Sequence, residues 1–231
     1  MMSKNNYTII ALGGSLISPT HGKINVRFLK RFQELILDYL KQGKKFVIVA
    51  GGGKTARLYQ GAAFKIAPVS DENIDWLGIY STRLNARLLQ TIFFKEAYPV
   101  ILDKPQKPIK NNPSLIIASG WRPGCSTDFD TIRLAQRFKA DSVIIASNIS
   151  YIYEKDPNKY KGAKKIKKIN WRDYRKLIAS RWKPGMNAPI DPIASKLAQK
   201  LKLKVVLFKG TELKNFRDYL EGRVFKGTII Y

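Results

Sequence analysis

The chain has 231 residues, 45% of them hydrophobic, and 42 Lys and Arg against 17 Asp and Glu give a formal net charge of +25; it can bury the core of one large α/β domain, or of two lobes sharing a sheet. A single cysteine and a single histidine exclude a disulfide framework, a cysteine zinc cluster and a His relay, and apolar runs of about five or six residues fall far short of the roughly 20 that span a bilayer. The basic residues are spread along the chain without a basic tail, so nucleic acid is a poor main ligand, anionic metabolites are attracted at long range, and with no signal-peptide core a cytoplasmic protein is expected.

In chain order, the first strand-like run is Tyr7 to Leu12, and it ends in Gly13, Gly14 and Ser15. A helix follows over residues 26–40, with Phe28, Leu29, Phe32, Leu35, Ile36 and Tyr39 on one face. The second run, 45–50, ends in Gly51-Gly52-Gly53-Lys54 with Arg57 one turn later. Residues 74–94 predict a second helix, whose core stripe reads as Leu77, Leu84, Leu88 and Ile92. Further strands are expected at 99–102, 114–118, 142–146 and 204–208, with a surface loop over 103–113 and a helix over 131–138. Residues 149–168 read as a hairpin that overhangs whatever lies at the strand ends. Asp191-Pro192 places an N-cap and a first-turn proline ahead of a last helix carrying Ile193, Leu197 and Leu201. Strands alternating with helices predict a three-layer α/β/α sandwich around a mainly parallel sheet.

Glycine loops directly after strands leave backbone that phosphate can approach, with amides free at the start of the next helix. One such loop is as easily a tight turn. Two of them, at 13–15 and 51–53, belong at one edge of a parallel sheet and face one crevice, and a crevice holding two phosphate groups suits phosphoryl transfer. Lys54 and Arg57 supply cations there. Neither loop has the spacing of a Walker loop or of a dinucleotide-binding fingerprint. A third strand-loop-helix junction runs from Ser119 through Gly120, Trp121, Arg122, Pro123, Gly124, Cys125, Ser126, Thr127 and Asp128. Its glycines expose amides and its hydroxyls and Arg122 suit a phosphate or nucleoside, while Ser126, Thr127 or Asp128 equally suits a helix cap. A fourth runs from Ser147 and Asn148 to Tyr153, Asp156 and Pro157, where Tyr153 can stack on a base or pack, and Asp156 can accept from a ribose or make a turn.

Taken together, Gly13-Gly14-Ser15, Gly51 to Arg57, Asp75 to Ile79, Thr82 to Ala86, the 123–128 loop, Tyr153 to Pro157, Asp191-Pro192 and Gly227-Thr228 resemble the amino acid kinase family over nearly the whole chain. Within it, the 82–86 segment and the 123–128 loop resemble the uridylate (UMP) kinases of the archaeal-type branch. The resemblance implies one kinase domain over 1–231, with an acceptor-binding lobe to about residue 140 and an ATP-binding lobe from about 141. It implies that Gly13, Gly14, Ser15, Gly53, Arg57, Ser147, Asn148, Tyr153 and Asp156 bind ATP. UMP falls to Gly52, Asp75, Arg83 and the loop residues Gly120, Trp121, Arg122, Pro123, Gly124, Cys125, Ser126 and Thr127. Lys54, Arg57, Asp128 and Asp191 are the catalytic candidates, Asp191 in an organising role. Magnesium comes with the nucleotide and the protein holds no metal of its own; a homo-oligomer, a hexamer in the family, is implied as well.

The phosphate of UMP is already an anion, so no general base is needed, and catalysis must suppress repulsion between two polyanions held in line. The chain departs from the family pattern at Ala11, where a lysine often precedes the first glycine loop, and at Ser150-Tyr151, where Asp-Gly is common. Lys54 or Arg57 must then neutralise the phosphates. A noncatalytic nucleotide- or anion-binding protein of the same fold is one alternative. A kinase for another small phosphorylated acceptor such as isopentenyl phosphate is the other, although the histidine expected after its glycine triplet is replaced here by Lys54-Thr55-Ala56-Arg57.

Overall fold

A strand covered on both faces has no polar side, and that is what the apolar runs become in the computed structural model, which describes residues 7–157, 159–181 and 188–231. The elements in chain order are β1 (Tyr7–Leu12), α1 (Gly14–Ile17), α2 (Val26–Lys41), β2 (Lys45–Ala50), α3 (Gly53–Ile66), α4 (Asp71–Ile92), β3 (Leu115–Ala118), α5 (Thr127–Phe138), β4 (Ser142–Ser147), β5 (Ile152–Tyr153), β6 (Lys165–Ile166), β7 (Lys168–Ile169), α6 (Trp171–Leu177), α7 (Pro192–Lys200), β8 (Lys204–Lys209), α8 (Leu213–Leu220) and β9 (Thr228–Ile230). The main sheet runs β3-β2-β1-β4-β8-β9-β7, parallel except where β9 meets β8. Successive residues of each strand face opposite sides. Ile10 and Leu12 join Phe46, Ile48 and the stripe Phe28, Phe32 and Ile36 of α2, with Phe216 of α8 in the same cluster. Ile9 and Ala11 join Val47, Val49 and residues of α5, α6 and α7 on the other side. Two helical layers thus sandwich the sheet, as its alternation predicts.

Chain order explains where the cleft lies. From β1 the chain moves outward to β2 and β3, then returns to β4 beside β1 and moves the other way, so the strand order reverses between β1 and β4. At such a switch point the loops leaving the strands diverge and open a crevice at their carboxyl ends.

Three expectations change. Residues 99–102 form no strand; Ala97 and Leu102 touch β3 through isolated bridges to Leu115 and Ala118, and the intervening Pro99 has no amide to donate. The buried stripe of α4 is Ile74, Ile79, Ala86 and Leu89, followed by Phe93, whereas Leu84 is 62% exposed. The helix expected from residue 74 starts at Asp71 with Ser70 as its N-cap, so Asp75 lies inside it. The hairpin is present as β5 and β6, an antiparallel pair whose base is tied to β9: Thr228 Oγ1 accepts from the Ile152 amide at 2.9 Å and donates to the Ile166 carbonyl at 2.5 Å.

Candidate active site

At the ends of β1 and β2 the two glycine loops pack backbone on backbone. A Cβ on Gly14 would stand 2.0 Å from the Gly53 amide nitrogen, and one on Gly53, which has φ +67°, would stand 2.3 Å from the Gly14 carbonyl oxygen. No side chain fits at either place. The loops are also stitched to the sheet, since the Gly13 amide donates to the Ala146 carbonyl at 2.9 Å and the Gly51 amide to the Leu12 carbonyl at 3.0 Å. Not every amide of the triplet region is therefore free: that of Lys54 donates to the Ser18 carbonyl at 3.1 Å. The amides of Gly14 and Ser15 open the first turn of α1, where no intrahelical acceptor exists.

These loops form one wall of a cleft of about 830 Å³. Gly13, Gly14, Ser15, Gly52, Gly53, Lys54 and Arg57 line it from the β1 and β2 ends. Asp75 and Gly120 line it with Cys125, Ser126, Thr127 and Asp128, and Ser147, Asn148, Tyr153 and Asp156 close it from the β4 end and the hairpin. Arg83, Trp121, Arg122, Pro123 and Gly124 do not line this cleft. On α4 the Arg83 guanidinium sits over the Trp76 and Tyr80 rings at 5.8 and 5.4 Å and donates to the Trp121 carbonyl of the β3 loop at 3.4 Å.

The β3 loop does not offer its glycine amides to a ligand. The Gly120 amide donates to Thr82 Oγ1 at 2.8 Å, the Trp121 amide to Asp130 Oδ2 at 3.0 Å, and the Gly124 amide to Asp75 Oδ2 at 2.8 Å. Ser126 caps α5, its Oγ accepting from the amides of Asp128 and Phe129, and donates to Asp191 Oδ2. Asp191 caps α7 in turn, with Oδ1 accepting from the amides of Ile193 and Ala194 at 2.7 and 3.0 Å. Its carboxylate is buried, off the cleft wall, and ties the starts of α5 and α7 together.

Electrostatics single out the same corner. Burial, with the nearby Asp191 charge next in weight, pushes the Asp128 carboxyl up to about 8, against the opposing hydrogen bond from the Asp191 amide. Burial also raises Asp75, although the Gly124 amide holds it back, and lifts the Cys125 thiol to about 12, which makes that thiol a poor nucleophile at neutral pH. Arg57 is exposed by area, yet the protein around its guanidinium lowers its pKa from the ordinary value through desolvation; it donates to Gln60 Oε1 at 3.4 Å. A cationic group held close to low-dielectric walls interacts more strongly with phosphate than one in open water.

Residue-by-residue reading of the sequence passed over Thr82, Asn85 and Asp130. Asn85 Nδ2 donates to the carbonyls of Gly51 and Gly52 at 2.7 and 3.2 Å and so fixes the triplet from α4. Asp75, Gly78, Thr82 and Asn85 recur at helical spacing and share one face, a polar stripe that periodicity in apolar residues does not detect. Lys155, on the hairpin, also lines the cleft. Among the described residues no cluster of three or more His, Cys, Asp or Glu is placed to hold a metal ion.

Comparison with known proteins agrees with this geometry. The amino acid kinase family model matches residues 6–209. The chain is 33% identical over 226 residues to the uridylate kinase of Methanocaldococcus jannaschii, covering 95% of this chain and 99% of that protein. It is 31% identical over 229 residues to the uridylate kinase of Staphylothermus marinus, covering 98% and 99%. The crystal structure of uridylate kinase from Archaeoglobus fulgidus superposes with a TM-score of 0.81 at 28% identity, over 97% of this chain and all of that one. UMP kinase from Bacillus anthracis, at 22% identity over 97% and 95% of the two chains, shares the fold with a TM-score of 0.79.

Proposed function

The chain belongs to the amino acid kinase family, and on that premise we propose that it is a UMP kinase, moving the γ-phosphoryl group of ATP to UMP to give UDP and ADP. The observation that carries this reading is the convergence of four strand-end loops on one cleft whose floor is glycine backbone, with Lys54 and Arg57 as the cations beside that floor and Lys155 on the hairpin side. Two polyanions must be brought together there, and bare backbone beside a partly desolvated guanidinium lowers the repulsion between them.

In this reading Gly13, Gly14, Ser15 and Gly53 cradle the ATP phosphates, and Ser147, Asn148, Tyr153 and Asp156 take its nucleoside end. Gly52, Asp75, Gly120, Cys125, Ser126 and Thr127 face UMP. Arg57 and Lys54 stand between the two and replace the cation that Ala11 does not supply. Asp128 faces the reacting groups, while Asp191, off the cleft wall, acts by positioning. Arg83, Trp121, Arg122, Pro123 and Gly124 support the acceptor side from outside. Magnesium arrives as part of the nucleotide substrate. The strands up to β3 with their helices make the acceptor lobe, those from β4 onward the ATP lobe.

The same family reading gives a homo-oligomer, a hexamer, working in the cytoplasm. Association of copies, of whatever number, is supported by Leu58, Tyr59, Phe64 and Ile66 on α3 and Tyr80 and Leu84 on α4, all exposed and apolar. Among the described residues no helix is long and apolar enough to cross a membrane. A screen of nucleoside monophosphates and isopentenyl phosphate with ATP and magnesium, read as ADP release, tests the function. UMP-dependent release is expected; ADP release only with another acceptor, or nucleotide binding without turnover, rejects the proposal.

A further inference from the structure

Among the described residues, Asp130 is the buried carboxylate that neither the cleft wall nor the helix caps account for. It is 1% exposed in the first turn of α5, one oxygen accepts from the Trp121 amide at 3.0 Å, and the other, Oδ1, is buried without a partner among the described residues. A carboxylate in that setting is costly to keep, and an apolar residue would pack there without an orphaned oxygen. Its use is visible in the loop above it. Three amides within five residues, those of Gly120, Trp121 and Gly124, are each fastened to a side chain, and Thr82 and Asp75 pull from α4 while Asp130 pulls from α5. The loop then runs straight into Cys125, Ser126, Thr127 and Asp128 on the cleft wall.

We infer that Asp130 is a positioning residue for the acceptor: it holds the loop from Gly120 to Ser126 in the posture that binds UMP, without itself touching either nucleotide. This rests on the UMP kinase reading of the cleft. Groups facing Asp130 are Arg122 and Cys125 from the loop, Asp191 at the start of α7 and Asp128 on its own helix. Burial lifts its carboxyl to about 7, opposed by the Trp121 amide and the Arg122 charge and reinforced by Asp191. Below that pH the carboxyl is neutral and accepts more weakly from the amide, so the grip on the loop loosens as pH falls.

Steady-state kinetics of the full chain and of Asp130→Ala and Asp130→Asn, with UMP and ATP varied separately between about pH 6 and 8.5, test this. Asp130→Ala is expected to raise KM for UMP about tenfold while kcat and KM for ATP stay within about twofold. Asp130→Asn keeps an acceptor for the Trp121 amide but cannot titrate. It is expected to recover most of the UMP affinity at neutral pH and to show a smaller acid-side rise in KM than the natural chain, the remainder coming from the UMP phosphate and Asp128. Should Asp130→Ala not fold, Asp130→Asn alone carries the test through its pH profile. Equal changes in both KM values, an unchanged KM for UMP, or a pH dependence of Asp130→Asn matching the natural chain overturns the inference alone. A natural chain that turns over no UMP overturns the reading beneath it and this inference too.

Discussion

At the ends of β1 and β2 the backbone of Gly14 lies against that of Gly51 and Gly53, whereas at the end of β3 the backbone of Gly120 to Gly124 hangs on the side chains of Thr82, Asp75 and Asp130. The first junction contains no titratable group: sterics and the neutral Asn85 amide fix its shape at any pH. The second contains two carboxylates with raised pKa values and can answer to protonation. In the reading proposed above, the phosphates common to every turnover meet the rigid junction, and the acceptor meets the adjustable one.

Substitution at the rigid junction should do the most damage. Gly14→Ala drives a Cβ into the Gly53 amide, so the two loops must part. Activity is expected to fall by about 10²-fold or more, in line with displacements near 1 Å at reacting groups, together with a lower melting temperature. Arg57→Ala separates charge from shape: among the described residues its guanidinium makes one long hydrogen bond, to Gln60 Oε1. Turnover with saturating nucleotides should drop about 10²-fold while unfolding free energy changes by less than about 1 kcal/mol. Unchanged turnover in Arg57→Ala would leave neutralisation to Lys54 and remove Arg57 from the catalytic set.

A smaller effect should appear on the adjustable side as a pH dependence of stability. The folded Asp128 carboxyl titrates near 8 against an ordinary value of 3.8, so between those limits the folded chain holds a proton that the unfolded chain has released. Stability that depends on this group therefore declines as pH rises through that window. Asp128→Asn removes the decline. Chemical denaturation of both proteins from about pH 5 to 8 should show the difference between them widening in favour of the variant, and a constant difference would place Asp128 in open solvent.

This contrast also marks what could be read from the residues. Most of the strand runs, the paired glycine junctions, the α2 stripe and the Asp191 cap are local patterns, and they recur in the structure at β1, β2, α2 and α7. The way the β3 loop is held was not legible. Its glycines look like open phosphate cradles in sequence, yet their amides are taken by Thr82 and Asp75, which lie 38 and 49 positions away. No local pattern encodes such a pairing. The same polar residues mislead the reading of α4. Because Asp75, Thr82 and Asn85 occupy its buried face, the apolar periodicity that remains visible runs beside that face, taking in the exposed Leu84 along with Leu88 and Ile92, which do pack against the core.

Two leucines of α4 sharpen that last point at the smallest scale. Leu89 is wholly buried beside Ala86 and Phe93, and truncating it to Ala should cost about 2–5 kcal/mol through the lost contacts and the cavity left behind. Leu84, five positions earlier but on the outer face, has solvent over most of its side chain, so Leu84→Ala should change unfolding of the isolated subunit by less than about 0.5 kcal/mol. Its effect belongs to assembly. If the outer faces of α3 and α4 meet a second copy, Leu84→Ala shifts dissociation to higher protein concentration in light scattering while UMP turnover at saturating concentrations is retained. Equal loss of stability in the two variants would mean that α4 is rotated about its axis from the orientation seen here. The polar clamp on the β3 loop would then lose its footing.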